Sequence, residues 1–231
     1  MKRIVVAVLI SFLAVTQAWP QMSVRRRPLA AAAGGSPPAF VQGTSVYANT
    51  GLTLTVGAGH LLVALMSSDS TPPATVSDNV NGSWTVLSAH EISAVVSCRI
   101  AYFINSAAGS VTVTPGTWTG DAGWSLHEYS GVITGSAFDG EEGLGNSDVT
   151  NPTSGSGIVT TNSNDVLVSI LADEGNGTEA SATNGWTLRT SETSHFHWAY
   201  DKVVSSTGTY NLAATRAQSS TALCAAAFKG S

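Results

Sequence analysis

The chain carries nearly the same pattern twice, and that repeat constrains its fold more than any other feature. GHLLVALMSS (59–68) returns as NDVLVSILAD (164–173), and NGSWTVLS (81–88) returns as NGWTLRTS (184–191). Ala101-Tyr102 returns as Ala199-Tyr200, AAGSVTV (107–113) as STGTYNL (206–212), and HEYSG (127–131) as AAFKG (226–230). The offsets are 105 (167 − 62), 102 (186 − 84), 98 (200 − 102) and 99 (228 − 129), so the order holds and loops absorb the differences. Self-similarity of this kind speaks to architecture, because each copy is one structural unit. No motif in the chain defines an activity.

Each copy reads as a series of short strands. Leu52–Val56, 61–66, 84–88, 95–104, 111–114 and 124–129 are rich in β-branched and aromatic residues, and the second copy offers 158–161, 166–171, 186–190, 196–204, 209–213 and 221–228. Gly, Asn, Pro and Ser punctuate them, the signature of an all-β sandwich or barrel. No amphipathic helix is expected. The stretches LLVALM, VLVSIL and CAAAF do not alternate, so their strands are covered on both faces. The expected fold is an antiparallel β-sandwich, jelly-roll-like, built from two interleaved repeats. Two tandem immunoglobulin-like domains are the alternative. The boundaries read as a β domain over 39–231, with repeat one at about 44–131, a glycine-rich connection at 132–156 and repeat two at about 157–230.

The N-terminus addresses the chain outward. Lys2 and Arg3 precede an apolar run from Ile4 to Val15, followed by small residues near Thr16 and Ala18. This is the pattern of a secretory signal over 1–18 with cleavage after Ala18. The run is too short for a bilayer span, which needs roughly 20 residues. Residues 19–38, with Arg25, Arg26, Arg27, an alanine run and Pro37-Pro38, read as a flexible leader. Removing Lys2 and Arg3 takes the net charge from −5 to −7. Only 11% of the residues are charged, against about 25% in an average soluble protein. A neutral, hydroxyl-rich surface does not bind nucleic acid by counterion release. Cys98 and Cys224 fall in predicted strands. In an oxidising compartment they form a disulfide, and otherwise they are two buried thiols.

LLV near a repeat start, NGSWT, AYF, AAGSVTVTP and SLHEYSG, followed by a weaker copy, resemble secreted bacterial β-sandwich modules over about 40–230. The resemblance rests on framework residues, chiefly Trp84, Tyr102, Tyr129 and Gly131. It implies the sandwich fold, an extracellular or cell-surface location and the company of carbohydrate-active or adhesive domains. Function comes only by association.

Differences between the copies mark positions with a local requirement. Trp124-Ser125-Leu126-His127-Glu128-Tyr129 faces the copy Leu223-Cys224-Ala225-Ala226-Ala227-Phe228, so His127 and Glu128 stand where repeat two has covered alanines. They point to opposite faces of one strand and do not form a simple acid–base pair. Either they bind a ligand or they satisfy buried hydrogen bonds. Trp118 lies in the polar turn TWTGD. It is either a sugar-stacking platform with Asp121 and Trp124 beside it, or a lid folded onto the sandwich. His195 and His197 share a strand face with Asp201 at a metal-competent spacing that superficially resembles the first cupin motif, though the flanking residues depart from it. Asp69, Asp78, Asn79 and Asn81, with Asp173, Glu174 and Asn176 in the second copy, are turn formers that also suit Ca²⁺, the one cofactor the sequence leaves open. Asp139, Glu141 and Glu142 form a carboxylate group in the connection.

Three functions follow. The first is a secreted, non-catalytic sandwich that binds glycan or another surface polymer. The second is a self-assembling subunit of a fibre, sheath or surface layer, whose partner is a copy of itself. The third is a polysaccharide hydrolase or lyase, although no nucleophile motif is present.

Overall fold

The computed structural model describes residues 36–93, 95–175, 180–193 and 197–231, and every element among them is a strand. The predicted signal and most of the leader lie outside the described residues, as do Asn176 and His195. Repeat one contains β1 (Ala39–Val46), β2 (Leu52–Val56), β3 (Leu61–Ser68), β4 (Val76–Asp78), β5 (Gly82–Ser83), β6 (Thr85–Val86), β7 (His90–Ile92), β8 (Val96–Phe103), β9 (Gly109–Pro115) and β10 (Ala122–Ser130). Repeat two contains β11 (Phe138–Val149), β12 (Ile158–Val159), β13 (Asp165–Asp173), β14 (Ser181–Ala182), β15 (Thr187–Glu192), β16 (His197–Val203), β17 (Thr209–Tyr210), β18 (Ala214–Thr215) and β19 (Ser219–Lys229).

The all-β sandwich expected from the sequence is the fold, but the repeats do not share sheets. Repeat one builds an inner sheet in the order β1-β10-β3-β8-β6, with β7 also on β8. Repeat two builds a second inner sheet in the corresponding order β11-β19-β13-β16-β15. The two copies interlock face to face, where the sequence suggested mixed, jelly-roll-like sheets. Outside the first inner sheet lies β2-β9-β4-β5, and outside the second lie the ribbons β12-β17 and β14-β18.

Three cores separate these layers. The inner core holds Leu61, Val63 and Leu65 of β3 against Val166, Val168 and Ile170 of β13. The intervening Leu62, Ala64 and Met66 enter the outer core of repeat one with Trp84 and Trp124. Leu167 and Leu171 enter the outer core of repeat two with Trp186 and Trp198. Strands buried on both faces need apolar side chains at every position, which is why LLVALM and VLVSIL lack alternation. Both are fully buried.

Strand register defines true equivalence between the copies. Val63 pairs with Tyr102, and its counterpart Val168 pairs with Asp201. Tyr102 therefore corresponds to Asp201, and the sequence match of Tyr102 to Tyr200 is one residue out. A one-residue slip reverses the face: Tyr102 lies in the inner core and Tyr200 in the outer core of repeat two. Trp84 and Trp186 do occupy corresponding outer cores.

The expected connection contains a strand. β11 pairs with β19 as β1 pairs with β10, so the structural copy begins near Phe138. Its glycines hid it from a propensity reading. A Cβ at Gly143 would collide with His90, and one at Gly145 with the backbone of Glu91. Only glycine lets β7 of the other repeat approach this closely.

Candidate functional site

Polar side chains that carry chemistry gather between the inner sheets, on the side built by β10, β15 and β16. The alternation of β10 aims Ser125, His127 and Tyr129 inward, and that of β16 aims His197, Ala199 and Asp201 inward to meet them. Ser125, His127, Tyr129 and His197 are fully buried, and Asp201 is 1% exposed.

Their hydrogen bonds run as one chain. Thr190 Oγ1 donates to Ser125 Oγ at 2.8 Å. Ser125 Oγ lies 2.7 Å from His197 Nε2, and His197 Nδ1 lies 3.0 Å from Ser67 Oγ, which donates to the Gly123 carbonyl. With Thr190 and Ser67 donating as they do, a neutral His197 accepts at Nε2 and donates at Nδ1. On the other side of Thr190, His127 Nε2 lies 2.7 Å from its hydroxyl, and His127 Nδ1 lies 3.1 Å from the Tyr129 hydroxyl. Tyr129 meets the Asp201 carboxyl, which accepts from Arg189 Nε at 2.9 Å. The Arg189 guanidinium stacks over Phe40 at 4.6 Å.

Burial sets the electrostatics. It lowers the His127 pKa to about 3, with the Arg189 charge adding to the effect, so this imidazole is neutral. Burial, then the Asp201 carboxyl, pushes the Tyr129 phenol well above its usual range. Burial also raises Asp201, against the pull of Arg189 and Tyr129. Serine and histidine stand at hydrogen-bond distance, but each is enclosed by both sheets. Two surface depressions, of about 280 and 380 Å³, are lined by Asp148, Glu174, Gly175 and Ser219 and by residues 148–151 and 218, none of them a member of this network.

Cys98 and Cys224 are joined in a disulfide on the opposite side of the inner core. Cys98 pairs with Ser67 and His197 with Ala172, while Cys224 pairs with Ile170 and Ser125 with Leu65. Since Ser67 corresponds to Ala172 and Leu65 to Ile170, the disulfide and the Ser125–His197 hydrogen bond occupy symmetry-related positions.

The other sequence-selected residues are dispersed. Trp118 is 7% exposed and belongs to the outer core of repeat one, so it is a lid and not an exposed platform. The polar turn folds its indole back onto that core. Trp124 is fully buried beside it. Glu128 points away from His127 and accepts from the Gly57 amide at 2.7 Å and from Gln42 Nε2 at 2.5 Å, with His60 Nδ1 also at 2.5 Å. Asp121 lies at the surface and hydrogen-bonds Tyr47.

The metal and calcium expectations meet a different geometry. His197 and Asp201 share a face but bind Ser67, Ser125, Arg189 and Tyr129, and among the described residues no three His, Cys, Asp or Glu side chains are grouped to hold a metal ion. Asp78 caps its own turn, accepting from the Val80 and Asn81 amides and from Trp84 Nε1. Asp173 binds Arg216 in a fully buried ion pair that sequence reading missed. Glu141 holds Ser88, and Glu142 holds Ser154 and the Gly157 amide, so the two are not a facing catalytic pair.

No protein family, no curated protein and no solved structure matches the chain.

Proposed function

We propose that the chain is a non-catalytic, extracellular structural module, a subunit that assembles with copies of itself into a fibre, sheath or surface layer. One observation carries this reading: the residues best equipped for chemistry are used to join the two repeats. Ser125, His127, His197, Asp201 and the two cysteines all lie at 2% exposure or less between the inner sheets. A catalytic centre needs approach for a substrate, and a glycan site needs exposed aromatic faces. The tryptophans among the described residues are buried instead, from Trp124 at 0% to Trp186 at 8%. A disulfide suits an oxidising compartment, and the likeness to secreted bacterial sandwiches points the same way.

The long edges of the inner sheets face each other. Ser45 on β1 donates to the Ser191 carbonyl on β15 at 3.1 Å, and β7 lies against Gly143 and Gly145 of β11. Covered edges suppress uncontrolled strand addition. Assembly therefore uses side-chain contacts on the outer layers, where Val80 and Val159 are exposed. Sedimentation and negative-stain microscopy of the oxidised full chain test this. Ordered filaments or sheets that grow with concentration are expected, and a monomer at every concentration overturns the reading.

Glycan binding is the second reading, favoured by Tyr47. It is 42% exposed, hydrogen-bonds Asp121 and feels the Asp69 carboxylate. An aromatic face flanked by carboxylates suits a sugar ring. Retention on a polysaccharide that is lost in Tyr47→Ala, in a chain that stays monomeric, favours this reading over assembly.

A further inference from the structure

Two carboxyls and an amine meet where three neighbouring strands of repeat two come together. Asp139 lies on β11, Lys229 on β19 and Asp165 on β13, the strand on the far side of β19. Lys229 stands directly opposite Asp165 in register. Asp139 is the extra residue of a bulge between Phe138 and Gly140, a device that re-aims a side chain out of the ladder. Its Oδ1 lies 3.1 Å from Lys229 Nζ, and its side chain is 2% exposed. Thr161 fixes the same carboxyl through its amide and hydroxyl.

Asp165 is the unusual member. It is fully buried, and neither of its carboxyl oxygens has a well-formed hydrogen bond. Asp139 and the Gly230 amide are the polar groups that bear on it, together with the Lys229 charge. A plain ion pair between Lys229 and Asp139 has no use for a second, buried carboxyl, whose desolvation is costly.

The frame does not require the trio. β1 carries a bulge at the corresponding place, and its extra residue is Val41. The counterpart of Asp165 is His60 (165 − 105), and that of Lys229 is Ser130 (229 − 99). Repeat one folds the same way with none of the three groups.

We propose that Lys229 Nζ and the Asp139 carboxyl condense to a side-chain amide, with Asp165 carrying the proton. Asp165 passes its proton to the Asp139 carboxylate and takes one from the Lys229 ammonium. The neutral amine then attacks Cγ of Asp139. The N–C bond forms, the C–O bond breaks, and the departing oxygen leaves as water with protons relayed through Asp165. Amine and acid become amide and water, and Asp165 ends as it began. The step needs neither oxidant nor cofactor. Burial first, then the Asp139 carboxylate, raises the Asp165 pKa to about 7, which suits a group that both gives and takes a proton near neutrality. The amide ties β11 to β19, the first and last strands of repeat two. This inference does not depend on the assembly reading above.

Peptide mapping of the full-length folded protein by mass spectrometry tests the proposal. A branched peptide joining Lys229 to Asp139 is expected, lighter than its two parts by one water. Lys229→Arg keeps the ion pair but gives no amide, and Asp165→Asn removes the proton carrier, so both should yield linear peptides of full mass. Linear peptides alone from the wild type overturn the proposal. A water deficit that survives in Lys229→Arg also overturns it, because the loss then belongs to a cyclic imide at Asp139-Gly140. Branched peptide formed in Asp165→Asn at the wild-type rate removes Asp165 from the mechanism. If a variant fails to fold, the branched peptide of the wild type decides alone.

Discussion

The two halves of the inner core occupy equivalent places and are held by opposite chemistry. On one side β8 and β19 meet through the Cys98–Cys224 disulfide and the edge-on pair of Tyr102 and Phe228, centroids 5.0 Å apart. On the other side β10 and β16 meet at the same positions of the exchanged repeats. Ser125 and His197 replace the cysteines, and Tyr129 and Asp201 replace the aromatic pair. Even the flanking rings correspond: Phe138 lies 6.0 Å from Phe228, and Phe40 lies 5.6 Å from Tyr129. One backbone frame thus accepts a covalent, apolar junction and a polar, hydrogen-bonded one. The first acts by restricting the unfolded chain. The second fixes geometry, since each group is buried and must find its partner.

Four experiments can break or sharpen this contrast, and the disulfide should dominate. Cys98→Ser with Cys224→Ser opens a loop spanning 126 residues, which should cost about 4–5 kcal/mol in the chain-entropy model. Guanidinium unfolding measures it, and a loss under about 1 kcal/mol would mean that packing alone holds the apolar half.

Acid should attack the polar half first. The folded His127 pKa is about 3, below the ordinary value of 6.5. An unfolded chain therefore binds the proton first, and the stability from the neutral imidazole is complete above pH 6.5 and lost as pH falls toward about 3. A loss of about 4 kcal/mol over that window is expected, and His127→Leu should flatten it. Asp165, raised from 3.8 to about 7, acts in the opposite sense: its contribution is present below 3.8 and lost as pH rises through about 7. The Asp165→Asn profile separates the two.

Truncating the other imidazole should cost less. His197→Ala leaves the Ser67 and Ser125 hydroxyls short of a partner, at about 2 kcal/mol by denaturant titration. Cost near zero would show that these serines pair elsewhere and that the chain of hydrogen bonds is dispensable. The smallest effect belongs to the symmetric exchange. Ser125→Cys with His197→Cys should form a second bridge, because the backbone there matches that of the native disulfide. The gain should be about 1 kcal/mol, since loop closure is offset by the lost hydrogen bonds of Ser67 and Thr190. Two free thiols in the double variant would show that the two halves differ in backbone geometry as well as in side chains.

Much of this contrast was visible along the chain. The doubled pattern, the strand series and the two-sided burial of LLVALM and VLVSIL were legible because side-chain period and apolar runs are local properties. The replacement of alanines by His127 and Glu128 flagged one of the strands that carries the buried network. What escaped was register and proximity. β16 is shifted by one residue against the sequence match, so Asp201 and not Tyr200 stands at the place of Tyr102. β11 was hidden because its glycines answer to His90 and Glu91 on a strand about 50 residues earlier. Whether Trp118 was a platform or a lid stayed open along the chain, because a turn's composition does not say which core lies beneath it.

The sequence by itself determined the strand content, the twofold repeat and the burial of its central strands, since these follow from period and composition. Only the tertiary structure decided which repeat faces which, that Ser125 and His197 stand where the other side has a disulfide, and that Asp139, Asp165 and Lys229 converge. Such meetings join residues far apart in the chain. Their register is set by pairing and bulges across whole sheets, which no local pattern encodes.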